Sequence, residues 1–189
     1  MWQTCVCLHI TPRFVYLFLY KHFYQTRLNL NRVFLKIFSN RLLVRLAFFF
    51  NCVELLALLG LTLVSSQEDF DTHKYCFVVF GICGLAYFII TWVIWTFCDL
   101  PLETNEEINS LKTKTKALKT FLLCGLFMSY FYYRHNEFCE PYVYSLFCMC
   151  EYVIVGANMW FHYTASYDFA HLNVVIPAKL GYSYRPLPQ

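Results

Sequence analysis

Long apolar runs separated by short polar stretches make up most of the chain as far as about position 163. Five of these runs approach the roughly 20 residues that a helix needs to cross the hydrocarbon core of a bilayer. They predict membrane spans at 2–20, 42–64, 76–97, 118–133 and 142–163. Because Pro12 and Arg13 interrupt the first run, we expect that span to be kinked. The pattern predicts an all-α, polytopic transmembrane helix bundle, with one domain over 1–169 and a cytosolic tail at 170–189.

Composition favours a membrane protein over the other broad classes. The 189 residues are 59% hydrophobic and 14% charged, whereas soluble domains have about 45–50% apolar and about 25% charged residues. These values exclude a disordered, collagenous or coiled-coil chain. The net charge of +3 is scattered over loops and forms no basic patch interleaved with aromatic residues, so we expect no nucleic-acid partner. The sequence carries no motif for a cofactor or a metal ion.

Basic residues are unevenly distributed among the predicted loops. Ten lysines and arginines lie in the segments 21–41, 98–117 and 170–189, against two, Lys74 and Arg134, in the alternate loops. The positive-inside rule places the basic segments in the cytosol and the acidic loops on the lumenal or external side. The polar 98–117 segment is predicted to be a solvated linker.

Two acidic residues lie inside predicted spans, where an ionisable group is costly and often functional. Glu54 and Glu151 are each about 15 Å from the lumenal end of their helices, so we expect them to share a level near the midplane. Helical spacing extends each into a polar stripe, formed by Asn51, Glu54 and Ser65 on one helix and by Glu151, Asn158 and His162 on the other. Two interpretations stay open, a proton-accepting or headgroup-binding centre and a set of interhelical hydrogen bonds that fixes packing. The nearer basic residue, Arg45, is expected to reach the cytosolic interface.

The acidic loops hold the other concentration of polar groups. One begins with Ser65 and Ser66 and continues through Glu68 and Asp69; the other runs from Arg134 and His135 through Asn136 to Glu140. An arginine can hold a phosphate, and a histidine can act as acid or base. His135 and Glu140 have an H-x4-E spacing similar to the H-x4-D dyad of glycerolipid acyltransferases. Ordinary solvated capping of the helices is the alternative.

Three stretches resemble the post-GPI attachment to proteins factor 2 family. They are NCVELLALLGLTLVSSQEDF, YRHNEFCEPYVYSLF and EYVIVGANMWFHYTASYDF, and the opening LHITPRF is also similar. The resemblance extends from about Trp2 to Phe169. It implies a multispanning protein of the Golgi and endoplasmic reticulum membranes. It further implies a role in lipid remodelling of GPI anchors, in which an unsaturated chain is exchanged for a saturated one.

The resemblance also implies a set of site residues and one difference. The matching polar positions are Asn51, Glu54, Ser65, Ser66, Glu68, Asp69, His73, Arg134, His135, Asn136, Cys139, Glu140, Glu151, Asn158, His162 and Asp168. Family members normally begin with a further helix and a lumenal segment, so the chain is expected to be a short form. Because that segment could hold a partner for Cys139, this residue is a disulfide candidate.

Three functions follow as expectations. In an acyltransferase acting at the lysolipid re-acylation stage, His135 with Glu140 would deprotonate the lysolipid hydroxyl. Arg134 would hold the phosphate, Glu54 would line the acyl cavity, and the other matching polar residues would bind substrate. In a non-catalytic scaffold, the same groups would present the anchor to another enzyme. In a small proton-coupled lipid transporter, Glu54 and Glu151 would relay protons. The expected partners are membrane lipids, lyso-GPI or GPI-anchored proteins, and other remodelling enzymes.

Overall fold

A computed structural model describes residues 2–29, 33–34, 38–98, 100–102 and 104–170, and most of this part is helical. The helices are α1 (Trp2–Arg27), α2 (Asn40–Leu63), α3 (Phe70–Phe97), α4 (Asn105–Phe138), α5 (Val143–Tyr163) and α6 (Ala165–Asp168). Two short strands, β1 (Val33–Phe34) and β2 (Phe38–Ser39), pair antiparallel between α1 and α2. The predicted all-helical class is confirmed.

Polar residues determine where three of the helices begin. Ser39, Asp69 and Thr104 precede α2, α3 and α4, and each side chain accepts a hydrogen bond from the backbone N–H three residues later. Such caps satisfy N–H groups that have no partner inside the helix. At the other end of α4, Cys139 adopts a left-handed backbone conformation with φ of 49°, which ends the helix and begins the connection to α5.

Within the described residues, three helical segments are long and apolar enough to cross a membrane: Asn40–Leu63, Phe70–Phe97 and Val143–Asp168. They coincide with the second, third and fifth predicted spans and support a multi-pass membrane protein. Helix α1 continues through Pro12 without a break in its assignment. Helices α1 and α4 are also long enough, but neither holds an equally apolar stretch, so the count of five spans stays a prediction. The predicted cytosolic tail lies outside the described residues, apart from Ala170.

Helix α4 differs from the sequence prediction at its start. The predicted solvated linker at 98–117 is wrong from Asn105 onward, because the helix already begins there. Glu107, Ser110 and Lys114 are buried on one face of α4. That face continues into the apolar Leu118 with spacings of three and four residues, which is the pattern of an amphipathic helix.

The helices alternate in direction. Helices α1, α3 and α5 run in one direction, and α2 and α4 run in the other. Along parallel helices, the residue numbers of contacting residues increase together. Along antiparallel helices, the number increases on one helix as it decreases on the other. Helix α1 is antiparallel to α2, because Arg13 contacts Glu54 and Lys21 contacts Phe48. Helix α2 is antiparallel to α3, with Glu54 near Gly84 and Gly60 near Cys76. Helices α3 and α5 are parallel, with Gly84 near Asn158 and Phe88 on Phe161. Helix α4 is antiparallel to α5, because Tyr132 contacts Phe147 and His135 contacts Tyr144.

This alternation gives the bundle two distinct ends. We call the end with the connections 64–69 and 139–142 the acidic-loop end, and the opposite end, where α1 ends at Arg27 and α2 begins at Asn40, the basic-loop end. Between them the core is aromatic, with the rings of Phe88 and Phe161 stacked at a centroid distance of 3.8 Å.

Candidate functional site

A group of charged and polar side chains is buried in the middle of the bundle. Arg13 of α1 donates from Nη2 to Glu54 Oε1 of α2 at 2.6 Å and from Nη1 to Asn158 Oδ1 of α5 at 3.1 Å. Asn158 Nδ2 also donates to Glu54 Oε1 at 2.7 Å. His162 Nε2, one turn farther along α5, is 2.6 Å from Arg13 Nη2 and 3.4 Å from Glu54 Oε2. We call these four residues the Arg13–Glu54 cluster.

A glycine on α3 leaves room for the cluster. A Cβ atom at Gly84 would lie 3.6 Å from Glu54 Cγ and Cδ and 3.7 Å from Asn158 Nδ2, which is ordinary contact distance. A larger side chain would enter the space that the carboxylate occupies. On the same helix, one turn farther along, the Tyr87 ring stacks on the His162 ring at a centroid distance of 5.4 Å. Helices α1, α2, α3 and α5 therefore all contribute to this level of the bundle.

The contacts assign donor and acceptor roles inside the cluster. A guanidinium has five N–H donors and no acceptor. Because Arg13 Nη2 faces His162 Nε2, this ring nitrogen accepts, and the proton of a neutral imidazole is then on Nδ1. Arg13 Nε and Glu54 Oε2 are buried and have no hydrogen-bond partner among the described residues. The cluster thus fixes the guanidinium through its Nη atoms and keeps one donor and one acceptor unused.

A groove of about 410 Å³ between α1 and α5 adjoins the cluster. Arg13 and His162 line it together with His9, and aromatic side chains of Tyr16, Trp160 and Tyr163 form much of the remaining wall. His9 Nε2 is another buried nitrogen that has no partner among the described residues. Trp160 is 43% exposed and Tyr163 60% exposed, so the groove opens at the outer surface of the bundle. Its polar floor and aromatic walls suit an amphiphile.

A second buried polar group lies nearer the basic-loop end. Lys114 Nζ donates to Asp168 Oδ2 and to Ser110 Oγ, each at 2.5 Å, and it lies 4.1 Å from the centre of the Trp95 ring. The Tyr20 hydroxyl also donates to Asp168 Oδ2. These contacts join α1, α3, α4 and α6. Asp168, a candidate site residue from the sequence, therefore lies in this group and not in the Arg13–Glu54 cluster.

Arg134, His135 and Asn136, predicted in a loop, lie near the end of α4, and only Cys139 and Glu140 follow the helix. These candidates form a different pairing from the predicted dyad. Arg134 Nε donates to Glu140 Oε2 at 3.1 Å, and its Nη2 bonds the other carboxylate oxygen. Hydrogen bonding to Glu140 raises the pKa of Arg134. The ring of His135 instead lies 5.2 Å from the ring of Tyr144, and its Nδ1 has no hydrogen-bond partner in the part of the chain that the structure describes. Glu140 thus engages the arginine and not the histidine.

The loop candidates between α2 and α3 organise the connection itself. Asp69 accepts hydrogen bonds from the Thr72 hydroxyl at 2.6 Å and backbone N–H at 3.1 Å, and these bonds lower the pKa of its carboxyl. Glu68 Oε2 accepts from the Ser65 backbone N–H at 3.0 Å, and His73 Nδ1 lies 2.8 Å from the Val64 carbonyl oxygen. These contacts fit the capping alternative.

The structure separates the two intramembrane acids. Glu151 is half-buried on α5, and Asn158, which contacts Glu54, lies two turns farther along that helix. Glu151 is therefore about 10 Å nearer the acidic-loop end than Glu54. The predicted shared level is therefore wrong, because α5 extends farther from the cluster toward the acidic-loop end than α2 does.

The other candidates occupy varied surroundings. Asn51 is buried on α2, one turn before Glu54, whereas Ser66 and Asn136 are exposed. Cys139 is an exposed free thiol. In the described residues, no group of three or more His, Cys, Asp or Glu side chains is arranged to hold a metal ion.

The sequence interpretation missed Arg13 and Lys114 as site residues. In the sequence pattern, Arg13 interrupts the first predicted span, and Lys114 belongs to the predicted solvated linker. A signal for each was present, since an arginine within an apolar run needs a buried partner. Lys114 likewise follows Glu107 and Ser110 at helical spacing.

Comparison with known proteins identifies the family. Residues 1–172 match the family described as Frag1/DRAM/Sfk1/Cwh43P N-terminal domain. A Caenorhabditis elegans protein named Post-GPI attachment to proteins factor 2 is 34% identical over 186 residues, covering 96% of this chain and 68% of the relative. A Xenopus tropicalis protein named Acyltransferase PGAP2 is 33% identical over 176 residues, covering 93% of this chain and 68% of that relative. No solved structure matches. The chain belongs to the post-GPI attachment to proteins factor 2 family.

Proposed function

We propose that this chain acts in GPI-anchor lipid remodelling, at the stage where the lysolipid is re-acylated, on the lumenal side of Golgi or endoplasmic reticulum membranes. The names of its relatives give the pathway, since they refer to GPI attachment and, in two of them, to acyltransferase activity. The observation that carries the proposal is the Arg13–Glu54 cluster at the groove between α1 and α5.

The groove matches a single-chain lipid in its chemistry. Arg13 lines the polar floor, and its buried Nε donor has no partner among the described residues. A lipid phosphate or ester carbonyl oxygen that reached this atom would accept the unused hydrogen bond. The aromatic walls, including the exposed Trp160 and Tyr163, suit an acyl chain that enters from the bilayer. Glu54 and Asn158 act as positioning residues, because they hold the guanidinium through its Nη atoms.

The proposal includes a division of roles between two places. The cluster and the groove bind the lipid, whereas the Arg134–Glu140 pair lies at the acidic-loop end. For Arg134 to hold a phosphate, the pair with Glu140 would have to open. For His135 to work as a general base with Glu140, the last turn of α4 and the residues after it would have to rearrange. This geometry favours a second candidate function, a lipid-binding scaffold that presents the lysolipid to another enzyme.

The experiment that separates enzyme from scaffold uses the purified full chain in lipid vesicles. Lyso-GPI and an acyl donor are added, and diacylated product and lyso-GPI binding are both measured. Acyl transfer with no other protein present identifies an enzyme. Binding without transfer, with activity restored by a membrane extract, identifies a scaffold. Absence of both binding and transfer contradicts the proposal.

A pair of matched substitutions tests where the lipid binds. Arg13→Lys and Arg134→Lys both keep the positive charge and remove the planar fork of donors. We expect Arg13→Lys to weaken lyso-GPI binding more than Arg134→Lys does. The reverse order would move the binding site to the acidic-loop end.

The proposed lumenal side has its own test. A cysteine introduced at Gln67 lies in the connection between α2 and α3, and Gln67 is exposed. We expect an impermeant thiol reagent to modify it in intact organelles only after the lumen is opened. Modification from the cytosolic side would contradict the orientation.

A further inference from the structure

A cavity of about 430 Å³ lies between α1 and the start of α2, near the basic-loop end. Among the described residues, its lining consists of Lys21, Gln25, Arg41, Val44, Arg45 and Phe48. These six residues carry three positive charges and no negative charge. The cavity is separate from the Arg13–Glu54 cluster, because Arg45 precedes Glu54 on α2 by about 14 Å of helix.

The position of these charges does not favour the stability of α2. The helix begins at Asn40, so Arg41 and Arg45 lie in its first two turns, at the positive end of the helix dipole. The two arginines are also spaced at i and i+4, where like charges repel. Lys21 approaches the same cavity from α1. A bound anion would be stabilised by all of these features together.

An apolar surface continues from the charged cavity toward the middle of the bundle. Lys21 Nζ lies 4.6 Å from the centre of the Phe48 ring, which lies 5.8 Å from the centre of the Phe18 ring. Phe18 is 61% exposed, and Phe49, next to Phe48, is 57% exposed. The ligand that fits this surface has an anionic head at the basic-loop end and a hydrocarbon tail that extends along the bundle.

We propose that this cavity binds the headgroup of an anionic phospholipid. Arg45 and Lys21 contact the phosphate, and the acyl chains lie against Phe18 and Phe49. Basic pockets between membrane helices recognise such headgroups through charge-assisted hydrogen bonds. The site is independent of the proposed remodelling function, and it would anchor α1 against α2 in a membrane that contains acidic lipid.

The test measures lipid binding by the full chain in nanodiscs of phosphatidylcholine with an increasing fraction of phosphatidylserine. Retained lipids are counted by native mass spectrometry. The double variant Lys21→Gln/Arg45→Gln is compared with Lys112→Gln/Lys116→Gln, which removes the same charge from exposed positions of α4. We expect the first variant to lose roughly tenfold or more in affinity for phosphatidylserine, because two charge-assisted contacts are removed. The control should bind as the unmodified chain does.

Three outcomes decide the proposal. Equal losses in the two double variants would indicate a general charge effect and overturn the site. Competition by soluble glycerol phosphate as effective as that by the lipid would overturn the assignment to a lipid. Selective loss in Lys21→Gln/Arg45→Gln, with an unchanged circular dichroism spectrum and melting temperature, would support it; all four substituted residues are exposed, so we expect the fold to persist.

Discussion

The ion pair between Arg13 and Glu54 gives the sharpest test of the fold. Both side chains are almost fully buried, at 2% and 0% exposed, and their closest atoms are 2.6 Å apart. Replacing Glu54 by Leu removes the counter-charge and leaves Arg13 with its contacts to Asn158 and His162. Removal of one partner from a buried pair costs about 3–5 kcal/mol, because the remaining charge is uncompensated.

The double variant should recover most of that loss. In Arg13→Leu/Glu54→Leu no buried charge remains at this position, and buried pairs replaced by apolar residues are often neutral in stability. We therefore expect a coupling free energy of about 3 kcal/mol or more between the two sites in a double-mutant cycle. Unfolding by SDS in mixed micelles, followed by circular dichroism, measures each corner of the cycle.

The chain supplies a matched control in a second Arg–Glu pair. Arg134 and Glu140 have side chains that are 34% and 36% exposed, and exposed pairs are weakened by solvent and salt. The same cycle at these positions should give a much smaller coupling free energy. Equal coupling at both pairs, or a Glu54→Leu variant as stable as the unmodified chain, would refute the buried charge pair.

Three further predictions concern packing and pH. Gly84→Ala should leave stability unchanged or raise it by up to about 1 kcal/mol, through helix propensity. Gly84→Leu should lower the free energy of unfolding by about 1–3 kcal/mol through overpacking. The same SDS titration measures both variants. A destabilised Gly84→Ala variant would contradict the contact distances. Asp168→Asn removes the counter-charge of the buried Lys114 and should cost about 3–5 kcal/mol; a melting temperature equal to that of the unmodified chain would contradict it. Because hydrogen bonds from Thr72 lower the pKa of Asp69, its contribution to stability is present above the ordinary carboxyl pKa of about 3.9. That contribution is lost as the pH falls through the lowered pKa. Asp69→Asn should therefore reduce the fall of the melting temperature in this pH range. A pH dependence identical to that of the unmodified chain would contradict the role of Asp69 as a helix cap.

The sequence pattern was sufficient for the features that depend on local periodicity. Apolar runs gave the positions of α2, α3 and α5, since a buried or lipid-facing helix needs a long hydrophobic stretch. Helical spacing also placed Asn158 and His162 on one face of α5, and the structure brings both to Glu54. A polar stripe in an apolar helix needs partners, so these residues were expected to face the interior.

The features that depend on partners across the bundle could not be predicted. Periodicity does not state which arginine meets Glu54, and Arg13 is 41 positions away from it. Similarly, the spacing of His135 and Glu140 suggested a dyad, but the carboxylate finds a stronger partner in Arg134. The prediction that Glu54 and Glu151 share a level is wrong for a related reason. It measures the depth of each residue from the end of its own helix. Helix ends need not be level where helices differ in length.

GPI-anchor remodelling by the Arg13→Leu/Glu54→Leu variant shows whether the Arg13–Glu54 cluster binds the lipid. This variant removes the charges without leaving either one unpaired, so folding and function can be separated. The protein is purified into lipid vesicles, its fold is verified by circular dichroism, and lyso-GPI binding is measured beside remodelling. We expect a folded protein that has lost lyso-GPI binding and remodelling. Full binding and remodelling by the folded variant would contradict it and would leave the Arg13–Glu54 cluster with a packing role alone.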